Sequence, residues 1–198
     1  MKNLTCYFRS EFVPVYGLIL LNQRVITKMV ENNRPKWSIT MGIYTSLLAL
    51  SLYIYSLIVD YYLNSANPTL FSMAVFQTMY VFAVAALLQI SFCFNRERKS
   101  YLINLKLAFL FSGMLYVLNA FIVLPFKIYF EQGGSDLLTF LAAIIVSVWV
   151  IRCWYVIAEF NGLKRITDKL SSIVIISVLA FISKMFFAII VPYFVNIT

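Results

Sequence analysis

The sequence predicts an all-α integral membrane protein, five transmembrane helices in one bundle behind a basic N-terminal segment. Apolar residues fill 62% of the 198 positions and charged residues only 12%, against about 45–50% and 25% in a soluble domain. A water-soluble fold of this size has too little interior for so much apolar surface, so lipid must cover the excess. Five apolar runs are each long enough to cross about 30 Å of hydrocarbon at about 1.5 Å per residue. None alternates with period two, which excludes a lipid-facing β-barrel.

The elements follow in chain order. Residues 1–37 mix Val13, Tyr16, Leu20 and Val30 with Arg9, Arg24, Lys28 and Arg34. The apolar stretch Pro14 to Leu21 is too short to span, and the segment reads as a helix lying in the headgroup plane. A signal peptide does not fit, because Gly17 interrupts the apolar core and Asn22-Gln23-Arg24 follows it instead of a small-residue cleavage site. Span one covers 38–60, entered at the interface through Pro35 and Trp37. Span two covers 70–94, after the turn Asn64 to Pro68. Span three covers 101–126 and is expected to stop near Pro125. Span four covers 137–159, after the turn and helix cap Gly133-Gly134-Ser135-Asp136. Span five covers 173–195, after the polar hairpin Phe160 to Ser172. There is no internal repeat and no low-complexity tract.

Charge sets the expected orientation. Lys2, Arg9, Arg24, Lys28, Arg34 and Lys36 precede span one; Arg96, Arg98, Lys99 and Lys106 follow span two; Lys164, Arg165 and Lys169 follow span four. The alternate face holds only Lys127, while Arg152 and Lys184 lie inside spans. By the positive-inside rule the N-terminus is cytoplasmic and the C-terminus outside, which requires an odd number of spans and agrees with five. A bacterial inner membrane is the expected location.

The basic face reads in two ways. Its cations can set topology and meet anionic lipid headgroups. They can also dock an acidic soluble protein; direct nucleic-acid binding is not expected. The residues that would form this surface are Arg24, Lys28, Arg34, Lys36, Arg96, Arg98, Lys99, Lys164, Arg165 and Lys169.

Catalytic chemistry has little to build on. The chain has no histidine, the commonest general base and metal ligand. Cys6, Cys93 and Cys153 form no C-x-x-C motif, so neither a zinc site nor a disulfide framework is expected, and they read as reduced thiols packed as small apolar groups. The expectation is a protein without enzymatic activity, cofactor or metal.

Polar residues inside the spans are the remaining candidates. Lys184 sits about midway along span five, where an ammonium costs at least about 2.5–3.5 kcal/mol, so it calls for a partner, a cavity, a subunit contact or a snorkelling stem. Arg152 lies near the cytoplasmic end of span four and can reach the interface. Gln77 and Asn119 lie at similar depth in spans two and three, with Tyr80 and Tyr116 one turn away. Such groups are either interhelical glue worth about 0.6 kcal/mol each or the lining of a water-filled path. Small residues at four-residue spacing, Gly42 with Ser46 and Ala143 with Ser147, permit close helix approach inside the bundle or between copies.

The second half carries a basic polar hinge (Arg96 to Tyr101), a span ending at Pro125, a fourth span bearing Trp149, and the hairpin Glu159-Phe160-Asn161-Gly162-Leu163-Lys164 leading into a last span. Over about Arg96 to Phe194 this pattern resembles the five-span Yip1-type membrane proteins, although the soluble N-terminal motifs of the eukaryotic members are not visible. The resemblance implies a non-enzymatic helical bundle that associates with itself and with other proteins. The function expected is that of a self-associating membrane anchor, sensor or membrane-acting effector for a soluble partner, of the kind found in bacterial stress or phage-defence pairs. The alternative is a small transporter or ion channel using Lys184 and the polar layer.

Overall fold

The computed structural model describes Cys6, 35–62, 70–93, Asn95, 98–133 and 136–195, excepting the side chains of 59–62, 184, 187, 188 and 190–195. Arg24, Lys28, Arg34, Arg96 and the side chain of Lys184 therefore lie outside the described residues. The elements are α1 (Trp37–Tyr62), α2 (Leu70–Ser91), α3 (Tyr101–Leu118), α4 (Leu124–Glu131), α5 (Asp136–Phe160) and α6 (Ile166–Val195), with a π-helical turn at Asn119–Val123 joining α3 and α4. Among the described residues five helical segments are long and apolar enough to cross a membrane, the third being the 31-residue rod Tyr101–Glu131. The fold is an all-α membrane bundle.

These segments are helical because a chain in hydrocarbon must satisfy its own backbone polar groups, and an α-helix does so within one segment. Apolar residues run round every side of α2, α5 and α6 rather than along one stripe. That distribution belongs to a helix bathed in lipid or in protein, not one lying on water.

α3 stands at the centre, packed against α1, α2 and α5, while α2 and α5 both pack on α6. Eight consecutive α3 residues, Asn104 to Phe111, are buried, so every side of this stretch is covered. Tyr44 of α1 and Phe82 of α2 meet Phe109 edge-on, with ring centroids 4.8 and 5.3 Å away. Leu88 of α2, Phe92 just after it and Ile157 of α5 extend this core. The outward faces of α5 and α6 carry Phe140, Ile144, Val148, Val174, Val178 and Phe181 exposed, the surface that lipid covers.

Two boundaries differ from the sequence-based expectation. The third span does not stop at Pro125 but continues to Glu131. Pro125 has no N–H to donate. Just before it the π-helical turn lets the Leu124 N–H reach the Asn119 carbonyl, which shifts the hydrogen-bond ladder by one residue and admits the ring. The last helix begins at Ile166, seven residues ahead of the apolar run expected from 173, so Lys169 is helical rather than part of the connecting hairpin. Its charge is tolerated there because Glu159 of α5 lies 3.2 Å from its Nζ.

The approach of α1 to α3 depends on Gly113. A Cβ built there would lie 3.1 Å from Leu47 Cδ1, whereas one at Gly42 would meet nothing within 4 Å. Gly113→Leu is expected to lower the unfolding midpoint in detergent, at a cost of about 1–3 kcal/mol for an overpacked contact. Gly42→Leu should leave the monomer's midpoint unchanged.

Candidate functional site

Antiparallel threading brings the start of α1, the α2–α3 connection and the α5–α6 turn to one end of the bundle, which is the basic end. There the chain builds a clasp from side-chain amides. Asn104 of α3 and Asn161 after α5 are each 0% exposed. They exchange hydrogen bonds, Asn104 Nδ2 donating to Asn161 Oδ1 at 3.2 Å and Asn161 Nδ2 to Asn104 Oδ1 at 3.1 Å. Asn104 also donates to Gln89 Oε1 of α2 at 3.2 Å, and Asn161 to the Ile157 carbonyl at 2.9 Å. From the α2–α3 connection, the Lys99 backbone N–H donates to Asn161 Oδ1 at 3.1 Å, and Asn95 Nδ2 donates to the Asn161 carbonyl. One asparagine thus receives or gives bonds to α3, α5 and the α2–α3 connection.

Local chain geometry fixes where Asn161 stands. Gly162 has φ +88°, the left-handed conformation in which a helix commonly ends. Its N–H donates to the Glu159 carbonyl at 3.0 Å and the Leu163 N–H to the Ala158 carbonyl at 3.2 Å. This paired closure is a Schellman motif with Asn161 at the C-cap, so the turn directs the amide inward while closing α5.

Beside the clasp lies a pocket of about 690 Å³, lined by Lys99, Glu159, Phe160, Gly162, Leu163, Lys164 and Lys169. Lys99 Nζ stands 5.2 Å from the Phe160 ring centroid. Lys169 is tied down more firmly: besides Glu159 it contacts Tyr155, with Nζ 3.4 Å from the hydroxyl and 4.5 Å from the ring centroid. Of the residues expected to form a basic surface, Lys36, Arg98, Lys164 and Arg165 are exposed and Lys99 is half-buried. Lys169 is withdrawn from it, only 5% exposed. Lys106 is buried too, donating to the Pro35 carbonyl at 2.9 Å with its Nζ 5.4 Å from the Trp37 ring centroid, which holds the entry of α1 against α3.

The polar layer expected inside the spans lies in the opposite half. Gln77, Tyr80, Tyr116 and Asn119 line one cavity of about 470 Å³ between α1, α2 and the α3–α4 rod. Tyr116 Oη donates to the Gln77 carbonyl and Tyr80 Oη to the Ala180 carbonyl, each at 3.0 Å. Ala180 precedes Lys184 by one turn of α6, so this layer reaches the helix that carries Lys184. Arg152 is exposed on α5.

Gly42, Ser46, Ala143 and Ser147 are all exposed, facing away from the bundle interior. Ser46 Oγ donates to the Gly42 carbonyl at 2.8 Å. Cys93 is exposed and Cys153 buried. Among the described residues no three His, Cys, Asp or Glu side chains gather where they could hold a metal ion.

The clasp escaped sequence reasoning because its central pair lies 57 residues apart. The available signal was Asn104 and Gln89, amides set within apolar runs near the basic end. Replacing Asn161 by leucine strands Asn104 and the Lys99 N–H, and should lower stability by about 1–3 kcal/mol. A double-mutant cycle with Asn104→Leu, followed by unfolding in detergent, should return a coupling of about 0.5–3 kcal/mol; strict additivity would dissolve the clasp.

Comparison of the chain with protein-family models, with curated proteins and with solved structures finds no match to any of them.

Proposed function

We propose that this protein is a non-catalytic polytopic membrane protein whose basic end is a fixed cytoplasmic platform, on which anionic headgroups and a soluble partner dock. The observation that carries this reading is the clasp. It joins the α2–α3 connection, α3 and the α5–α6 turn, and so fixes the basic side chains between and beside them. A docking surface made of separate flexible loops would have to be ordered at each encounter, whereas a preorganised one avoids that cost. The exposed Lys164 and Arg165 with Lys99 give the platform its charge, which draws acidic surfaces and anionic lipid.

Self-association belongs to the same reading. The outward-facing small pairs, Gly42 with Ser46 and Ala143 with Ser147, allow another helix to approach closely. The role is then that of an anchor, sensor or membrane-acting effector in a bacterial inner membrane, as the membrane half of a two-component stress or phage-defence system. A transporter or channel is the second reading, favoured by the cavity beside Gln77 and Asn119. Between that cavity and the basic end the bundle is filled by Tyr44, Val81, Leu88 and Phe109, each at most 1% exposed, which supports the platform over a conducting path.

Copurification after mild detergent extraction tests the platform. A chain with Lys99, Lys164 and Arg165 changed to alanine should lose the soluble proteins recovered with the intact chain while still unfolding cooperatively, destabilised by about 1 kcal/mol for the lost Lys99–Phe160 contact. Identical recovery would remove the docking role. Ion flux in liposomes that disappears in Lys184→Leu would establish the channel instead.

A further inference from the structure

The pocket beside the clasp stands at the boundary between charge and hydrocarbon. Six of its seven described lining residues fall between Glu159 and Lys169, where α5 ends and α6 begins; the seventh, Lys99, comes from the α2–α3 connection. Before α6 the exposed residues are the cations Lys164 and Arg165. Along α6 they are Ile166, Leu170 and Val174, all apolar and exposed. At four-residue spacing these three form one stripe on the helix, directed at lipid.

Charge in the pocket is unequal. The described lining residues carry the ammonium groups of Lys99, Lys164 and Lys169 against the single carboxylate of Glu159. Lys169 is buried with its Nζ 3.2 Å from Glu159 Oε2, so these two neutralise each other at the wall. Asp168, exposed in the first turn of α6, is not among the lining residues. Lys99 is the cation built into the site. Its backbone N–H is held by Asn161 Oδ1 and its Nζ stands 5.2 Å from the Phe160 ring centroid, so the ammonium is in place before anything binds. Lys164, exposed, adds a second.

We propose that this pocket seats the headgroup of one anionic phospholipid, its phosphate on the Lys99 and Lys164 ammonium groups and its acyl chains along the stripe Ile166, Leu170 and Val174. The inference rests on the reading of the basic end as a platform that meets anionic headgroups, and it narrows that reading to one site. Ammonium groups hold a phosphate through charge-assisted hydrogen bonds, about twice as strong as neutral ones. A zwitterionic lipid brings the same phosphate together with a cation, and the one carboxylate among the described lining residues is already answered by Lys169. A free phosphate ion meets the same lysines but must be drawn from dilute solution, whereas the bilayer holds a lipid at high effective concentration beside the site. Basic pockets between membrane helices on the cytoplasmic side are a recurrent setting for such headgroups.

Fluorescence quenching by brominated lipid tests it. In a chain whose Trp37, Trp149 and Trp154 are phenylalanine, a single tryptophan is placed at Val174 on the stripe or at Thr45 on α1. Both positions are exposed, and each lies eight residues beyond the first residue of its helix at the basic end. The chains are reconstituted in phosphatidylcholine vesicles containing brominated phosphatidylglycerol, in about 0.15 M salt, which screens charges more than about 8 Å apart. Val174→Trp should report phosphatidylglycerol associating about tenfold more strongly than brominated phosphatidylcholine, the order expected from two lysines. Adding Lys99→Gln and Lys164→Gln should bring the ratio to within about twofold, the value expected at Thr45→Trp throughout. An equal preference at the two positions would mean a diffuse basic surface and overturns the pocket, leaving partner docking to the copurification that reads it separately. A preference that survives the double change overturns the assigned cations. Loss of the preference on adding about 10 mM inorganic phosphate at matched ionic strength makes the occupant a free anion and overturns the lipid. Should the tryptophan-free chain not fold, native mass spectrometry of the unaltered chain decides. Phosphatidylglycerol retained beyond phosphatidylcholine, and lost with the two glutamines, upholds the site; equal retention of the two lipids overturns it.

Discussion

The arrangement rests on one reciprocal pair of amides. Asn104 and Asn161 each satisfy donors and acceptors of the other in a site that water does not reach, and a buried polar network is stable only when its members are all satisfied. Because Asn161 also caps α5 and receives the Lys99 N–H, the pair converts three separate chain segments into a single object. The backbone at Lys99 and the turn leading to Lys164 inherit their positions from it. A core built from hydrocarbon alone would hold the helices together without defining how their polar ends meet, since lipid is as apolar as leucine and gives no hydrophobic reason for helices to associate.

The two ends of the bundle use polarity differently. At the basic end amides saturate one another and cations find neighbours: Lys169 is held by Glu159 and Tyr155, and Lys106 by a carbonyl and an indole. In the opposite half the tyrosine hydroxyls reach backbone carbonyls while Gln77 Oε1 has no donor among the described residues. The first pattern specifies structure. The second leaves a buried acceptor on a residue that lines a cavity, and the cavity lies next to the π-helical turn that also lets the rod pass Pro125.

Much of this fold was legible in the sequence because a membrane imposes length and composition on each segment separately. Span one at 38–60 and span four at 137–159 fall within a few residues of α1 and α5. What failed was what depends on a neighbour. Pro125 is a stop by local rules, and only the displaced ladder before it carries the helix to Glu131. Lys169 reads as a loop cation until Glu159 stands beside it. Gln77, Tyr80, Tyr116 and Asn119 were grouped by depth, and they do share one cavity, yet depth could not say that Tyr80 reaches α6. The Asn104–Asn161 pair had no signature, since either asparagine alone resembles ordinary helix-end polarity.

The most direct test of the central claim is amide hydrogen exchange of the protein in bilayers, read at Lys99 and at Gly162 and Leu163. A clasped basic end predicts that the Lys99 N–H, though outside any helix, exchanges as slowly as amides in the neighbouring turns of α3 and α5. Fast exchange at Lys99 with both helices still protected would mean that the connections move independently, and the platform would not exist.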